Sequence, residues 1–333
     1  MSAYRDAILA GTLEAEQIHA DMNAASGASP SCGAVDVFRF IDGRDILLLF
    51  QKLGGLLGAF MNYQRPGILV TTERTLAIQR FTAAHELGHA VLGHDVGVDD
   101  ESMLNRTPFG QGHYNAKEMA ADTFAAMFLM PEFLINEIAE KQGWDYAAIR
   151  RPETIYQLSL RLGVSFEALV RTLAKHGILS AHESMATLTH SVKQLKRKLL
   201  DDTVVPTDWR CNVWELTDRD MDCSLIAEPN DYFVVRLREM SGAGYLWNFD
   251  QVIEAGFQIV SDQRRFLTPD EIGSDVERIF TAQAGYPHSA SLIAEQTRPW
   301  DSSDVAAQFR IHLEVDRPAI GFTVRHRLEA LAA

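Results

Sequence analysis

Apolar positions recur mainly with a helical period through the first 200 residues, and after Asp201 they fall in short alternating runs separated by turns. Tyr4 to Met22 reads as a helix, and the small residues from Ala24 to Ser31 read as a linker. A short amphipathic helix follows near Val35 to Ile41. Three strand-like runs come next: Asp45 to Gln51, Leu57 to Tyr63 and Ile68 to Thr72. Gly54-Gly55 and Pro66-Gly67 at their turns predict a small antiparallel sheet. Arg80 to His94 has helical periodicity with a polar seam, and no proline interrupts it. The alanine-rich run opening at Glu118 is a strong helix former that Pro131 stops. From Phe133 to about Leu200 the chain reads helical. Within it, Thr154 to Leu162, a Gly163-Val164-Ser165 turn and Phe166 to His176, closed by Gly177, have the form of a helix-turn-helix. Past Asp201, the runs Tyr232 to Leu237, Phe257 to Val260 and Gln308 to Val315 have the spacing of a β-sandwich of immunoglobulin-like size.

Chemistry enters with His85-Glu86-Leu87-Gly88-His89. Positions i and i+4 share one helix face, so the two imidazoles can grip one metal ion. The carboxylate after the first histidine lies beside that ion and can take a proton from a bound water, which is the logic of a zinc hydrolase. A third ligand is needed. A longer HExxHxxGxxH pattern is absent, because Leu92 and Asp95 stand where its glycine and histidine belong, with His94 one position out of register. Asp95, Asp99, Asp100 and Glu101 in the following loop are candidates. Glu118 is better placed, because Glu118 and Asp122 are again i and i+4 on a helix: one carboxylate can bind the ion while the other holds a histidine's second ring N–H.

Leu53-Gly54-Gly55, Pro66 to Val70, Arg80-Phe81-Thr82, His85 to His89 and the helix ending Leu129-Met130-Pro131 together resemble the ImmA/IrrE family of bacterial zinc peptidases. The resemblance covers about residues 30 to 135, with a weaker continuation to about 180. It implies a zincin-like α+β domain with one Zn²⁺ held by His85, His89 and Glu118, Glu86 as general base and Asp122 behind a ligand. It also implies a cytoplasmic endopeptidase whose partner is a helix-turn-helix repressor, cleaved to release stress, defence or mobile-element genes. His113 and Tyr114, just before the ligand helix, have the chemistry to stabilise a developing oxyanion. Further on, Ser241 to Trp247 and Arg298-Pro299-Trp300-Asp301 resemble two inhibitory loops of the chagasin-like family. The first loop lacks the family's Asn and Pro, and the glycine-rich middle loop survives only as Ile272-Gly273-Ser274-Asp275. Trp247 and Trp300 are therefore read as core anchors of a β-domain that binds a protein partner or regulates the peptidase.

The resulting expectation is a peptidase domain over 1–135, a helical extension over 136–200 and an all-β sandwich over 201–333. A net charge of −14 argues against general nucleic-acid affinity. Lys193, Lys196, Arg197 and Lys198 form a local basic cluster, read as a solvated helix face. The second helix of the helix-turn-helix offers only Glu167, Arg171 and Lys175 as long polar groups, so packing is expected there rather than direct DNA binding. No run reaches the length of a membrane helix, and three widely spaced cysteines (Cys32, Cys211, Cys223) suit a reducing compartment. Two other classes stay open: a DNA-binding regulator with a structural zinc, which has no use for Glu86, and a peptidase inhibitor acting through the C-terminal domain.

Overall fold

The computed structural model describes residues 2–26, 33–62, 64–94, 97–100, 115–202, 204–266, 275–285, 289–315 and 318–323. The first helix, α1 (Ser2–Ser26), buries Ala7, Ala15 and Ile18. A short α2 (Val37–Asp42) is capped by the Asp36 carboxylate, which accepts from Arg39 N at 3.0 Å. Strands β1 (Leu47–Gln51), β2 (Leu56–Met61) and β3 (Gly67–Thr71) then lead into α3 (Leu76–Val91), β4 (Gly97–Asp100) and α4 (Ala116–Leu129). Helices α5 (Glu132–Gln142), α6 (Pro152–Leu162), α7 (Phe166–Lys175), α8 (Ala181–Leu188) and α9 (Val192–Leu199) complete the helical part.

The N-terminal sheet is mixed, which corrects the expected antiparallel one. Its order is β13 (Gly321–Phe322), β1, β3, β2, β4, with β3 antiparallel to β2 and parallel to β1. The reason lies in burial. Ile68, Val70 and Thr71 of β3 are all buried, so this strand takes the centre, where both faces are covered. The chain passes from β1 to β2 through Gly54 and Gly55, whose φ values of 56° and 105° suit glycine. The far edge is closed by β13 (Gly321–Phe322), which returns from the C-terminal region and pairs antiparallel with Leu49 and Phe50.

Beyond residue 204 the described chain is built mainly of strands: β5 (Val213–Thr217), β6 (Ser224–Ala227), β7 (Tyr232–Glu239), β8 (Leu246–Asn248), β9 (Phe257–Phe266), β10 (Val276–Ala284), β11 (Ser289–Arg298) and β12 (Asp301–Val315), with a short α-helix, α10 (Asp250–Glu254), and two single turns of 3-10 helix. They form two four-stranded sheets, β5-β7-β10-β9 and β6-β12-β11-β8. Phe233, Phe280, Phe309 and Leu313 from the two sheets belong to one buried cluster.

The helical and β parts are stitched together by buried polar contacts. Arg161 donates to Asp220 Oδ1 and to Glu215 O, both at 2.9 Å, and Gln142 donates to the same Asp220 oxygen at 2.7 Å. The Tyr156 hydroxyl accepts from Val213 N, and Gln157 donates to Val213 O. Apolar packing is continuous as well, since Cys211, Val213, Tyr232 and Val234 join the cluster built by the helices.

Two sequence readings change here. The basic cluster is not simply a solvated face: Lys196 is buried and donates to Trp209 O at 3.0 Å, while Lys193 and Arg197 stand over the Trp209 ring. Lys198 pairs with Glu153. Of the two tryptophans read as core anchors, Trp247 is buried and donates Nε1 to Arg238 O, but Trp300 is 73% exposed on the turn joining β11 and β12. The ring of Trp300 lies against Gly244, so a backbone without a side chain supports it. Among the described residues, no helix is long and apolar enough to cross a membrane. Cys211 and Cys223 are buried and form no disulfide with each other, and Cys32 lies outside the described residues.

Candidate metal centre

Helix α3 carries His85, Glu86 and His89 on its buried side; the ring of His85 has no exposed surface and that of His89 almost none. Helix α4 brings Glu118 from its first turn, and Asn115 caps that turn by accepting from Lys117 N. What lets the two helices meet is a seam of small residues. A Cβ added to Gly88 would lie 3.1 Å from Ala121 Cα and 3.0 Å from Phe124 Cδ1, so a larger residue there would push α4 away.

The result is a compact donor set. His85 Nε2 and His89 Nε2 stand 3.0 Å apart, and the Glu118 carboxylate lies 3.4 Å from the first and 3.7 Å from the second. One ligand atom from each of the three residues falls within 4.8 Å of the others. Two nitrogens bound tetrahedrally at zinc would be about 3.3 Å apart, so this set fits such an ion. Glu118 keeps its carboxylate ionised: contacts from His85 and then His89 hold its pKa well below the ordinary range, against the opposing effect of burial.

Each histidine is held from behind. His85 Nδ1 lies 2.8 Å from Asp122 Oδ1, which favours a proton on Nδ1 and leaves the Nε2 lone pair for a metal. His89 Nδ1 faces His94 Nδ1 at 2.9 Å. Sequence reasoning considered His94 only as an out-of-register ligand and missed this role. The signal was Gly93. With φ 66° it ends α3 in a Schellman turn, His94 N donating to His89 O and Gly93 N to Ala90 O, which folds His94 back over its partner. Burial, then the electrostatic effect of His89, pulls the His94 pKa down to about 4, so its ring is neutral at neutral pH.

Glu86 is fully buried at the back of β2: a Cβ on Gly58 would lie 3.0 Å from Glu86 Oε1 and 2.4 Å from Thr82 Cγ2. Only glycine on this strand leaves room for the carboxylate. Of the remaining candidates, His113, Tyr114, Asp95, Glu101 and Ile272 to Ser274 lie outside the described residues, and Asp99 and Asp100 lie on β4 without described side chains. On α7, Arg171 is engaged by Glu167 at 2.6 Å. His182-Glu183 is no second metal motif: Glu183 closes the capping box of α8 and pairs with Arg150.

The holding residues give a direct test. Asp122→Ala and His94→Ala are each expected to weaken metal affinity by about 10- to 100-fold in chelator competition, with circular dichroism unchanged. Wild-type affinity in both variants would remove them from the site.

Residues 42–174 match the family model of the IrrE N-terminal-like domain, and residues 227–315 match the chagasin family of peptidase inhibitors. A curated relative, the radiation response metalloprotease IrrE of Deinococcus radiodurans, is 37% identical over 97 residues, covering 29% of this chain. The matched segment spans only 28% of that relative's length. Among solved structures, the cysteine protease inhibitor EhICP2 from Entamoeba histolytica is similar at a TM-score of 0.29 and 17% identity, covering 34% of this chain and all of that one. The solution structure of Amebosin is similar at a TM-score of 0.27 and 14% identity, covering 32% of this chain and 98% of that one. The chain thus pairs a segment similar to the IrrE N-terminal-like domain with a C-terminal segment similar to the chagasin family of peptidase inhibitors.

Proposed function

We propose that this protein is a zinc-dependent endopeptidase that cuts a protein partner, with His85, His89 and Glu118 as the metal ligands and Glu86 as general base. The observation that carries the reading is the convergence of two imidazole nitrogens and one carboxylate, with the fully buried Glu86 following His85 on the same helix. Zinc in such a site supplies a water of lowered pKa and polarises the carbonyl under attack. A structural site has no use for Glu86. In this reading the carboxylate accepts a proton and passes it to the departing amine. Asp122 and His94 fix the ring orientations, and His113 or Tyr114 supplies the oxyanion donor.

Within this reading the partner is a helix-turn-helix repressor in the cytoplasm, whose cleavage releases stress, defence or mobile-element genes. The net charge of −14 suits a basic DNA-binding partner. The units are 1–135, 136–200 and 201–333, the last a recognition or control domain with an immunoglobulin-like fold. A second reading is favoured by the chagasin-family match together with the exposed Trp300: the C-terminal domain binds a papain-like peptidase. Inhibition of papain that is lost in Trp300→Ala would establish it.

The main test is metal content with partner cleavage. Protein purified without added metal is expected to contain about one zinc per chain. His85→Ala and Glu118→Ala should deplete it. Co-expression with a helix-turn-helix protein encoded nearby should yield a defined fragment, and metal chelation should stop its formation. Full metal in Glu118→Ala, or cleavage that survives chelation, would overturn the assignment.

A further inference from the structure

We propose that a cavity between the start of α3, the helix-turn-helix region and the β-region is a binding site for a small organic anion with an aromatic or aliphatic body. The cavity holds about 290 Å³, near the lower end of the range for small-molecule sites. Leu160, Phe166, Val192, Trp214, Leu225 and Ile226 supply apolar walls. The charged lining is Arg80, Arg161, Lys196, Arg210 and Glu228; Arg161 pairs with Asp220 and Arg210 stands 3.8 Å from Asp208, so Arg80 and Lys196 are the lining cations that form no ion pair among the described residues.

Three further observations specify an anion. First, α3 begins at this cavity, with Thr75, Leu76 and Ala77 in its wall. The Thr75 side chain makes no cap hydrogen bond and the first turn carries no acid, so the positive end of a 16-residue helix is left without a side-chain partner. Second, Arg161 Nε is buried without a hydrogen-bond acceptor, although both of its Nη groups are engaged. Third, two of the cations are buried on neutral acceptors: Arg80 donates to Val35 O and Gly163 O, and Lys196 to Trp209 O. Burial lowers the pKa of both, to about 10 for Arg80, opposed by the charges of Asp36 on Arg80 and of Asp231, Glu228 and Asp208 on Lys196. An anion would relieve that desolvation cost, and a hydrophobic body would fill the walls.

The position gives the site its interest. Its lining comes from the same helix that carries His85 and Glu86, from the turn between α6 and α7, and from β5 and β6. A bound anion would therefore tie the β-region to the metal-bearing helix. The inference stands apart from the peptidase reading, because binding is measured without any cleavage.

The test uses 1-naphthoate as the anionic probe and 1-naphthylmethanol as its uncharged counterpart, each titrated calorimetrically into the full chain. Naphthoate is expected to bind at a single saturable site, about tenfold or more tighter than the alcohol. Arg210→Ala, at an exposed position, should weaken naphthoate severalfold, and Ile226→Trp should fill the cavity and abolish binding. Hydrogen exchange of the wild-type chain with bound naphthoate should show protection over residues 75–80 and 210–214, so the location does not depend on how the filling variant folds. Absence of saturable binding, equal affinity for the alcohol, or exchange protection elsewhere would overturn the proposal.

Discussion

Glu86→Gln is expected to remove cleavage of the partner protein while leaving the metal bound and the fold unchanged. Glutamine keeps the length and planarity of the side chain, so its close approach to Gly58 at the back of the site survives. The three ligands are untouched. What is lost is the capacity to take a proton, a contribution of about 10²- to 10⁴-fold in general-base catalysis. Timed cleavage of a purified partner, with elemental analysis and thermal unfolding of the same sample, separates the outcomes. Undiminished cleavage would exclude Glu86 as the base. Lost metal together with lost activity would mean that Glu86 supports the site itself.

The largest stability effect is expected far from the metal, at Asp220. This carboxylate is fully buried and accepts from Arg161, Gln142 and Thr217 N at 2.9, 2.7 and 2.9 Å. Asp220→Ala leaves the Arg161 guanidinium, whose side chain is 2% exposed, without its counter-charge. Breaking a buried pair from one side costs about 3–5 kcal/mol, because the desolvated charge left behind is not compensated. The carbonyls of Gln157 and Glu215 and the Trp144 ring still face Arg161 and set the lower end of that range. Urea denaturation gives the number. The double change Arg161→Met with Asp220→Leu should recover much of the loss, since it removes both charges together. A loss below about 1 kcal/mol for Asp220→Ala alone would show that solvent reaches the pair.

Much of the metal centre is legible in the amino-acid sequence, because its core is local. The face shared by His85 and His89 follows from the pitch of one helix, and the pairing of Glu118 with Asp122 follows from another. Helix ends are legible for the same reason: Gly163, Gly177 and Pro131 act through their own backbone geometry. Even the role of His94 is encoded locally, in the left-handed turn at Gly93.

Long-range partners are a different matter. Nothing in the spacing says that Gly88 will lie on Ala121, or that Gly58 will leave room for Glu86; both depend on how elements pack. The place of β3 at the centre of its sheet, and the return of β13 from the far end of the chain to β1, rest on backbone hydrogen bonds that any sequence can make. Likewise Lys193, Lys196 and Arg197 look like a solvated face until Trp209 is brought against them from the next segment. Sequence by itself determined the elements and the metal-binding chemistry, since these depend on residues within a few turns of one another. Tertiary structure alone decided the sheet order, the clamp between helices and strands, and the cavity they enclose, because contacts between distant segments are set by which surfaces bury each other best.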